Sequence, residues 1–426
     1  MKPWRIDGAE PRRTAAALAL LALVAAGGWP VPAFAGSAAT GAGFSRAKLE
    51  RAGDFLRNEV AAGKIPGAIL LIQQHGHPVY LENFGLRDPG SKQPMTSDTI
   101  FRLYSMSKPI TSVAAMMLVE DGRLRLDDPL SKYIPAFADV KVGVESADAS
   151  GNPSLTLEQP KGPITIEDLL RHTSGLTYGF GGGVVGNLIG KAGLQTGNPD
   201  NAEFAARIAK LPLAAQPGTL WDYSYSTDVL GRVIEVVSGQ TLLEFEKQRL
   251  LDPLGMSDTA FYLAYRAKGS LIAQPIHEDR VGMSDPLRWQ RLQSGGIGMI
   301  GTIGDYARFA QMLLNGGTFD GKHYLKPGTV TMMTSDRIGP QTNIRQDGSH
   351  SPIPYSGFGF GFAVQTVQLP DMRPPIGTYG WAGAGGTFFF IDPRDDMFVI
   401  CMMQTLTQRI RIEAELKTLI YEALEK

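Results

Sequence analysis

The chain has a single cysteine, Cys401. One thiol excludes an intramolecular disulfide, a cysteine-rich zinc site and an iron–sulfur cluster. Cys401 sits in the apolar run Phe398-Val399-Ile400-Cys401-Met402-Met403, which reads as a buried strand and not as the setting of a nucleophile. Charge is scarce, at 19% of residues, and nearly balanced, with 41 basic against 42 acidic side chains. A nucleic-acid partner would need a basic surplus, so none is expected. The six histidines contain no H-E-x-x-H or similar ligand pair, so neither a metal nor another cofactor is expected. A G-x-S-x-G elbow is also missing, which argues against an α/β-hydrolase triad.

What the chain has in quantity is apolar and small: 43% hydrophobic residues, with 50 Gly and 28 Pro. Such a chain buries a sizeable core and turns sharply. Its 426 residues suffice for two domains, or for one large domain with an insertion.

Lys2, Arg5, Arg12 and Arg13 precede an apolar stretch from Ala15 to Ala26, and Ala33-Phe34-Ala35 forms a small-x-small site. These are the three parts of an export signal, with cleavage expected after Ala35. The apolar run falls short of the roughly 20 residues of a membrane-spanning helix. No second long apolar run follows, so the mature protein is expected in a periplasm or secreted, with no stable membrane span. Arg12-Arg13 also permits twin-arginine export.

Residues 36–43 are a small-residue linker, and Ser45 opens a helix. Gly67 to Gln74 and Val79 to Phe84 read as strands split by a turn at His75-Gly76-His77-Pro78. Phe358 to Val367, Thr387 to Ile391 and Met397 to Met403 read as strands near the other end, followed by a helix from Ile410 to Leu424. The fold expected is α/β plus helical. An antiparallel sheet is flanked by amino- and carboxy-terminal helices, with residues 36–120 and 291–426 as a discontinuous α/β domain and 121–290 as a mostly helical insertion. The glycine-dense stretch from Gly179 to Gly197 reads as a mobile loop near a cleft. It is no P-loop: Ala192 follows Gly190-Lys191, and Val185 stands where the first glycine belongs.

Arg102-Leu103-Tyr104-Ser105-Met106-Ser107-Lys108 leads into a helix with the apolar stripe Ile110, Val113, Ala114, Met117 and Leu118. Ser105 and Lys108 are three apart and share a helical face. A serine hydroxyl attacks well only when a base takes its proton, and a neutral lysine can do so. A serine at a helix start also has free backbone N–H groups beside it, which favour a developing oxyanion. The tetrapeptide alone is weak, because Ser45-Arg46-Ala47-Lys48 fits it too. There the bland reading wins: Ser45 is a helix cap and Lys48 is solvated. His172 reads as a hydrogen-bonded structural histidine. Asp127 and Asp128, ahead of Pro129, read as turn caps. Tyr104, Tyr178, Phe180 and Trp381 are candidates to line an acyl pocket.

Further segments accompany Ser105. Trp221-Asp222-Tyr223-Ser224-Tyr225-Ser226 carries a tyrosine at the lip of a helix, and Gly380-Trp381-Ala382-Gly383-Ala384-Gly385-Gly386-Thr387 leads into an apolar strand. Leu126-Asp127-Asp128-Pro129-Leu130, Leu169-Leu170-Arg171-His172-Thr173-Ser174-Gly175-Leu176 and Ser294-Gly295-Gly296 lie between or beside them. In this order, and over about 45–424, they resemble the serine β-lactamase and penicillin-binding protein superfamily, closest to its class C-like branch with the family VIII carboxylesterases. The resemblance implies Ser105 as acylated nucleophile, Lys108 as its partner base and Tyr223 as a tyrosine that shares or relays the proton. It implies an oxyanion hole from the backbone N–H groups of Ser105 and Ala384. Substrate contacts are expected from Tyr104, Tyr225, Trp381 and Gly383.

The sequence departs from the lactamase pattern twice. Trp381-Ala382-Gly383 replaces K-T-G, so the lysine that would pair a substrate carboxylate is gone. Tyr225 replaces the asparagine of Y-x-N. Both changes remove polar handles for β-lactams and peptides, and a mismatched polar site discriminates strongly. The expected activity is hydrolysis of small, uncharged carboxylic esters with modest acyl groups. The rivals are a β-lactamase or D-alanyl-D-alanine carboxypeptidase of the same fold, an acyltransferase, and a non-catalytic sensor.

Overall fold

The computed structural model describes residues 43–147, 151–276, 279, 283–339, 344, 356–368 and 374–425. The expected export signal, its cleavage site and residues 36–42 of the linker lie outside these, as do His277 and His350. The described residues belong to one compact unit.

An eight-stranded antiparallel sheet organises the molecule. Its strands are β1 (Gly67–Gln74), β2 (His77–Asp88), β3 (Gln93–Pro94), β4 (Ser356–Phe358), β5 (Ala363–Gln365), β6 (Tyr379–Ala382), β7 (Phe388–Asp392) and β8 (Met397–Met403). Their spatial order is β4-β5-β6-β7-β8-β1-β2-β3. The two ends of the chain meet where β1 pairs with β8, Leu70 opposite Cys401.

Central strands are apolar throughout because both faces are covered. Side chains alternate across the sheet. Ala68, Leu70, Ile72, Val399 and Cys401 face α1 (Arg46–Ala61) and the closing helix Arg409–Ala423. Ile69, Leu71, Phe398 and Ile400 face the larger helical side. There lie α2 (Ser107–Glu120), α3 (Ser226–Ser238) and α4 (Ile303–Leu314), in a core that includes Ile110, Val113, Val229, Val233, Phe309 and Met312. Each fully buried aliphatic side chain of this kind contributes about 1.5–3 kcal/mol of transfer free energy. Burial pushes the Cys401 thiol far up, as suits a packing residue. Ser45 stands at the amino-terminal boundary of α1, but its side chain makes no cap bond; its backbone N–H is tied to the Ala423 carbonyl instead.

Three expectations change. The strand expected from Phe358 to Val367 is a hairpin, β4 and β5, because Gly361 (φ 89°) turns the chain where a Cβ would meet Ser112 Oγ of α2 at 2.5 Å. The glycine-dense stretch after Gly179 contains the helix Gly183–Lys191, whose first turn is held by Glu145 accepting the Val185 N–H at 2.8 Å. Glu145 belongs to a two-stranded ribbon, Val142–Ala147 with Pro153–Glu158, inside the region expected to be mostly helical. Among the described residues no helix is long and apolar enough to cross a membrane.

Candidate active site

Ser105 lies in the 3-10 turn Tyr104–Met106, which runs directly into α2. The residue before it is strained: Tyr104 has φ 47°, a left-handed value that side chains disfavour. Neighbours hold it there. Ser107 Oγ donates to the Tyr104 carbonyl at 2.6 Å, and the Tyr104 hydroxyl accepts the Ser284 N–H at 3.1 Å. The turn is also fixed from outside, by the Leu103 N–H on the Met299 carbonyl and the Thr387 hydroxyl on the Leu103 carbonyl.

Lys108 is fully buried on the first turn of α2. Its Nζ is 3.3 Å from Ser105 Oγ, 3.2 Å from the Tyr178 hydroxyl and 2.9 Å from the Gly296 carbonyl. It also lies 4.5 Å from the centre of the Tyr223 ring. Tyr223 is clamped by aromatic neighbours, with His172, Tyr178 and Trp381 at ring separations of 4.9, 5.3 and 5.4 Å. Trp381 Nε1 donates to the Tyr223 hydroxyl at 3.1 Å. The tryptophan that stands in for a lysine is thus also a hydrogen-bond donor to the expected catalytic tyrosine.

A cavity of about 330 Å³ opens beside Ser105. Its lining includes Phe180, Trp221, Tyr223, Trp381 and Ala384. That size suits a small ligand. Two cations also line it, Arg409 and Lys417, and both are bonded to Glu413, at 2.8 and 2.7 Å. Burial would raise the Glu413 carboxyl, but Lys417 and Arg409 outweigh it and hold the group below its ordinary value.

Gly383 directly follows β6 and precedes Ala384, the second expected oxyanion donor. A Cβ there would stand 2.2 Å from the Leu103 carbonyl oxygen and 2.5 Å from Thr387 Oγ1. The bare backbone therefore lets the end of β6 close against the Ser105 turn. The Gly383 N–H is spent on the Thr387 carbonyl at 2.7 Å, and the next residue, Ala384, lines the cavity with Ser105.

The other expected contacts sit differently. Tyr104 supports the turn from behind through Ser284 and is not in the cavity lining. Tyr225 packs on Tyr178 at 4.3 Å and Phe204 at 5.4 Å, and opens on a separate cleft with Ile189 and Leu194. His172 is buried, with Nδ1 3.0 Å from Ser224 Oγ; burial, reinforced by the charge of Lys108, pushes its pKa well down and keeps the ring neutral. Tyr178, expected only as a pocket wall, touches Lys108 directly and stacks under Phe180 at 5.2 Å. Burial and the nearby Asp228 push its phenol well above the ordinary range, so it stays protonated. Nothing local in the sequence signals this contact, which spans 70 residues of chain.

Relatives carry the same architecture. Protein Rv1367c of Mycobacterium tuberculosis is 34% identical over 82% of this chain and 88% of its own length. The lovastatin esterase of Penicillium rubens is 32% identical over 82% of this chain and 90% of its own. Among solved structures, EstCE1, described as a hydrolase with promiscuous acyltransferase activity, superposes with a TM-score of 0.72. It is 28% identical, covering 88% of this chain and 98% of that one. The pattern of the Beta-lactamase family runs through residues 53–422, nearly all of the described fold and every residue of the site, and the chain belongs to that family.

Proposed function

We propose that this protein is a serine hydrolase that cleaves uncharged carboxylic esters with modest acyl groups through an acyl-enzyme on Ser105. The observation that carries the reading is the contact of Lys108 Nζ with Ser105 Oγ at 3.3 Å, at the edge of a cavity that Ala384 and Trp381 also line. Esterase relatives support ester chemistry for the family.

Ser105 attacks the ester carbonyl carbon while Lys108, with Tyr223 beside it, takes the hydroxyl proton. The tetrahedral oxyanion rests on the N–H groups of Ser105 and Ala384. The proton passes to the departing alcohol, and water then releases the acyl group by the same route in reverse. Trp381 occupies the place of a carboxylate-pairing lysine, and the cavity's cations Arg409 and Lys417 are held by Glu413. A carboxylate-bearing β-lactam or peptide therefore meets no unpaired cation in the described wall outside Lys108.

Transfer to an alcohol or amine is the second reading. It uses the same acyl-enzyme, and a structural neighbour is described as a hydrolase with promiscuous acyltransferase activity. The first 35 residues carry the further proposal that the enzyme is exported. Incubation with p-nitrophenyl butyrate tests the main reading. An intact-mass gain of one butyryl group, located on Ser105 and absent from Ser105→Ala, supports it; turnover by Ser105→Ala at the wild-type rate contradicts it.

A further inference from the structure

Asp228 lies on the first turn of α3, five positions after Tyr223, and is 4% exposed. The acyl-transfer steps above do not use it. Its carboxylate is ringed by donors. Oδ2 accepts from the Tyr178 hydroxyl at 3.2 Å, while Oδ1 accepts from the Gly296 N–H at 3.3 Å and from the Ser294 hydroxyl. One buried carboxylate thus holds the Tyr178 hydroxyl directly, and holds the Gly296 carbonyl through Ser294, whose hydroxyl accepts the Ile297 N–H of the same peptide at 3.1 Å; these are the groups, other than Ser105, to which Lys108 Nζ is hydrogen-bonded.

Each of these bonds has a fixed sense. The Gly296 carbonyl only accepts, and so does a carboxylate. The Tyr178 O–H therefore points at Asp228, which leaves the phenol oxygen to accept from Lys108. Two directions around Nζ are committed to N–H donation. An ammonium has three N–H bonds, and an amine has two and a lone pair. The only valence free to change is the one that faces Ser105.

We propose that Asp228 is a positioning residue for proton transfer. By holding the Tyr178 hydroxyl directly and the Gly296–Ile297 peptide through Ser294, it keeps the exchangeable valence of Lys108 aimed at Ser105. It also supplies the buried counter-charge for the ammonium formed there. The proposal rests on the serine-hydrolase reading above. In the step concerned the Ser105 O–H bond breaks and its proton goes to the Nζ lone pair. The oxygen's electron pair forms the bond to the ester carbon, and the ammonium later returns the proton to the leaving alkoxide.

The groups that face this pair are few. Asp228 meets Lys108 from α2, Tyr178 and Tyr225 from the segments packed against it, and the turn of Ser294 and Gly296. Lys108 meets Asp228, the rings of Tyr178 and Tyr223, and the neutral His172. Asp228 is the carboxyl of this set: burial raises it above its ordinary value, and the charge of Lys108 with the donors Ser294, Gly296 and Tyr178 opposes that rise.

The test is the pH profile of kcat and KM on p-nitrophenyl butyrate for wild type, Asp228→Asn, Tyr178→Phe and the double variant. An asparagine keeps the shape, but its amide can donate to Tyr178, turn that hydroxyl around and occupy the amine. Asp228→Asn is expected to lose about 100-fold in kcat, the scale of a misdirected general base, with KM within about threefold. The acid limb should move to lower pH, because the anion that favours the ammonium is gone. The double variant should be no slower than the worse single, since both changes act on one bond. Ser105→Ala, run alongside, tests the underlying reading separately. Asp228→Asn with wild-type kcat and an unmoved acid limb overturns the proposal. So does a loss that adds fully to that of Tyr178→Phe with the acid limb in place, the behaviour of a packing residue. Should Asp228→Asn fail to fold, Tyr178→Phe alone decides: the same kcat loss supports the proposal, and wild-type kcat overturns it.

Discussion

Lys108 Nζ lies 3.3 Å from Ser105 Oγ in the buried interior, whereas Lys48, at the same spacing from Ser45, is exposed. The difference follows from what surrounds each helix. α2 is buried along nearly its whole length, so its lysine must be satisfied by fixed partners. Ser105→Ala is expected to lower kcat by about 10⁴-fold or more, and Lys108→Ala by about 10³-fold. Steady-state hydrolysis of p-nitrophenyl butyrate measures both.

The Trp381 to Tyr223 hydrogen bond predicts a second pair of effects. Tyr223→Phe removes the hydroxyl and should lower kcat by about 100-fold. Trp381→Phe keeps an aromatic wall but removes the N–H, and should cost about tenfold, the worth of one hydrogen bond. The tryptophan substitution should matter little once Tyr223 is Phe. A double-mutant cycle on kcat reads this directly, and full additivity would show that the bond has no part in turnover.

Gly383→Ala should damage catalysis more than binding. Its Cβ has no room against the Leu103 carbonyl oxygen, 2.2 Å away, so the end of β6 must move and carry the Ala384 N–H with it. Losing one oxyanion donor costs about 10²–10³ in kcat. The expected result is a kcat loss on that scale with a smaller change in KM, accompanied by a lower melting temperature.

Asp305, near the start of α4, predicts a pH dependence of stability. Burial pushes its carboxyl up to about 6, against the opposing bonds from the Thr259 hydroxyl and Asp258 N–H. The folded state therefore holds this proton more tightly than the unfolded chain, where the group titrates near its usual value of about 4. The contribution is complete below about pH 4 and lost as pH rises through about 6. Urea melts of wild type and Asp305→Asn between these limits should differ in slope, with the wild type losing more stability as pH rises.

The central strands were legible because both of their faces are buried, and Gly67–Gln74 and Met397–Met403 are apolar almost without interruption. The same property hid the β4–β5 hairpin, since Phe358 to Val367 is equally apolar and only Gly361 marks the turn. The helix Gly183–Lys191 escaped because its many glycines are poor helix formers, and contacts such as that with Glu145 decide its start. Within the site, Ser105 and Lys108 stood out in the sequence through the ordered segments around them, since their spacing alone is shared by Ser45 and Lys48. Asp228 did not, and Tyr178 and Gly296 were marked only as a pocket wall and a segment of the resemblance; their meeting around Lys108 joins distant parts of the chain, which no local period records. Tyr104 and Tyr225 adjoin the motifs in sequence, but the backbone turns them toward Ser284 and Phe204.

The most direct measurement compares hydrolysis of p-nitrophenyl butyrate and of a chromogenic cephalosporin by wild type and Ser105→Ala. Fast ester turnover that disappears with Ser105 is expected, with little cephalosporin turnover. A preference for the cephalosporin would contradict the esterase reading, because carboxylate-bearing substrates would then be accepted with Trp381 in place of the pairing lysine.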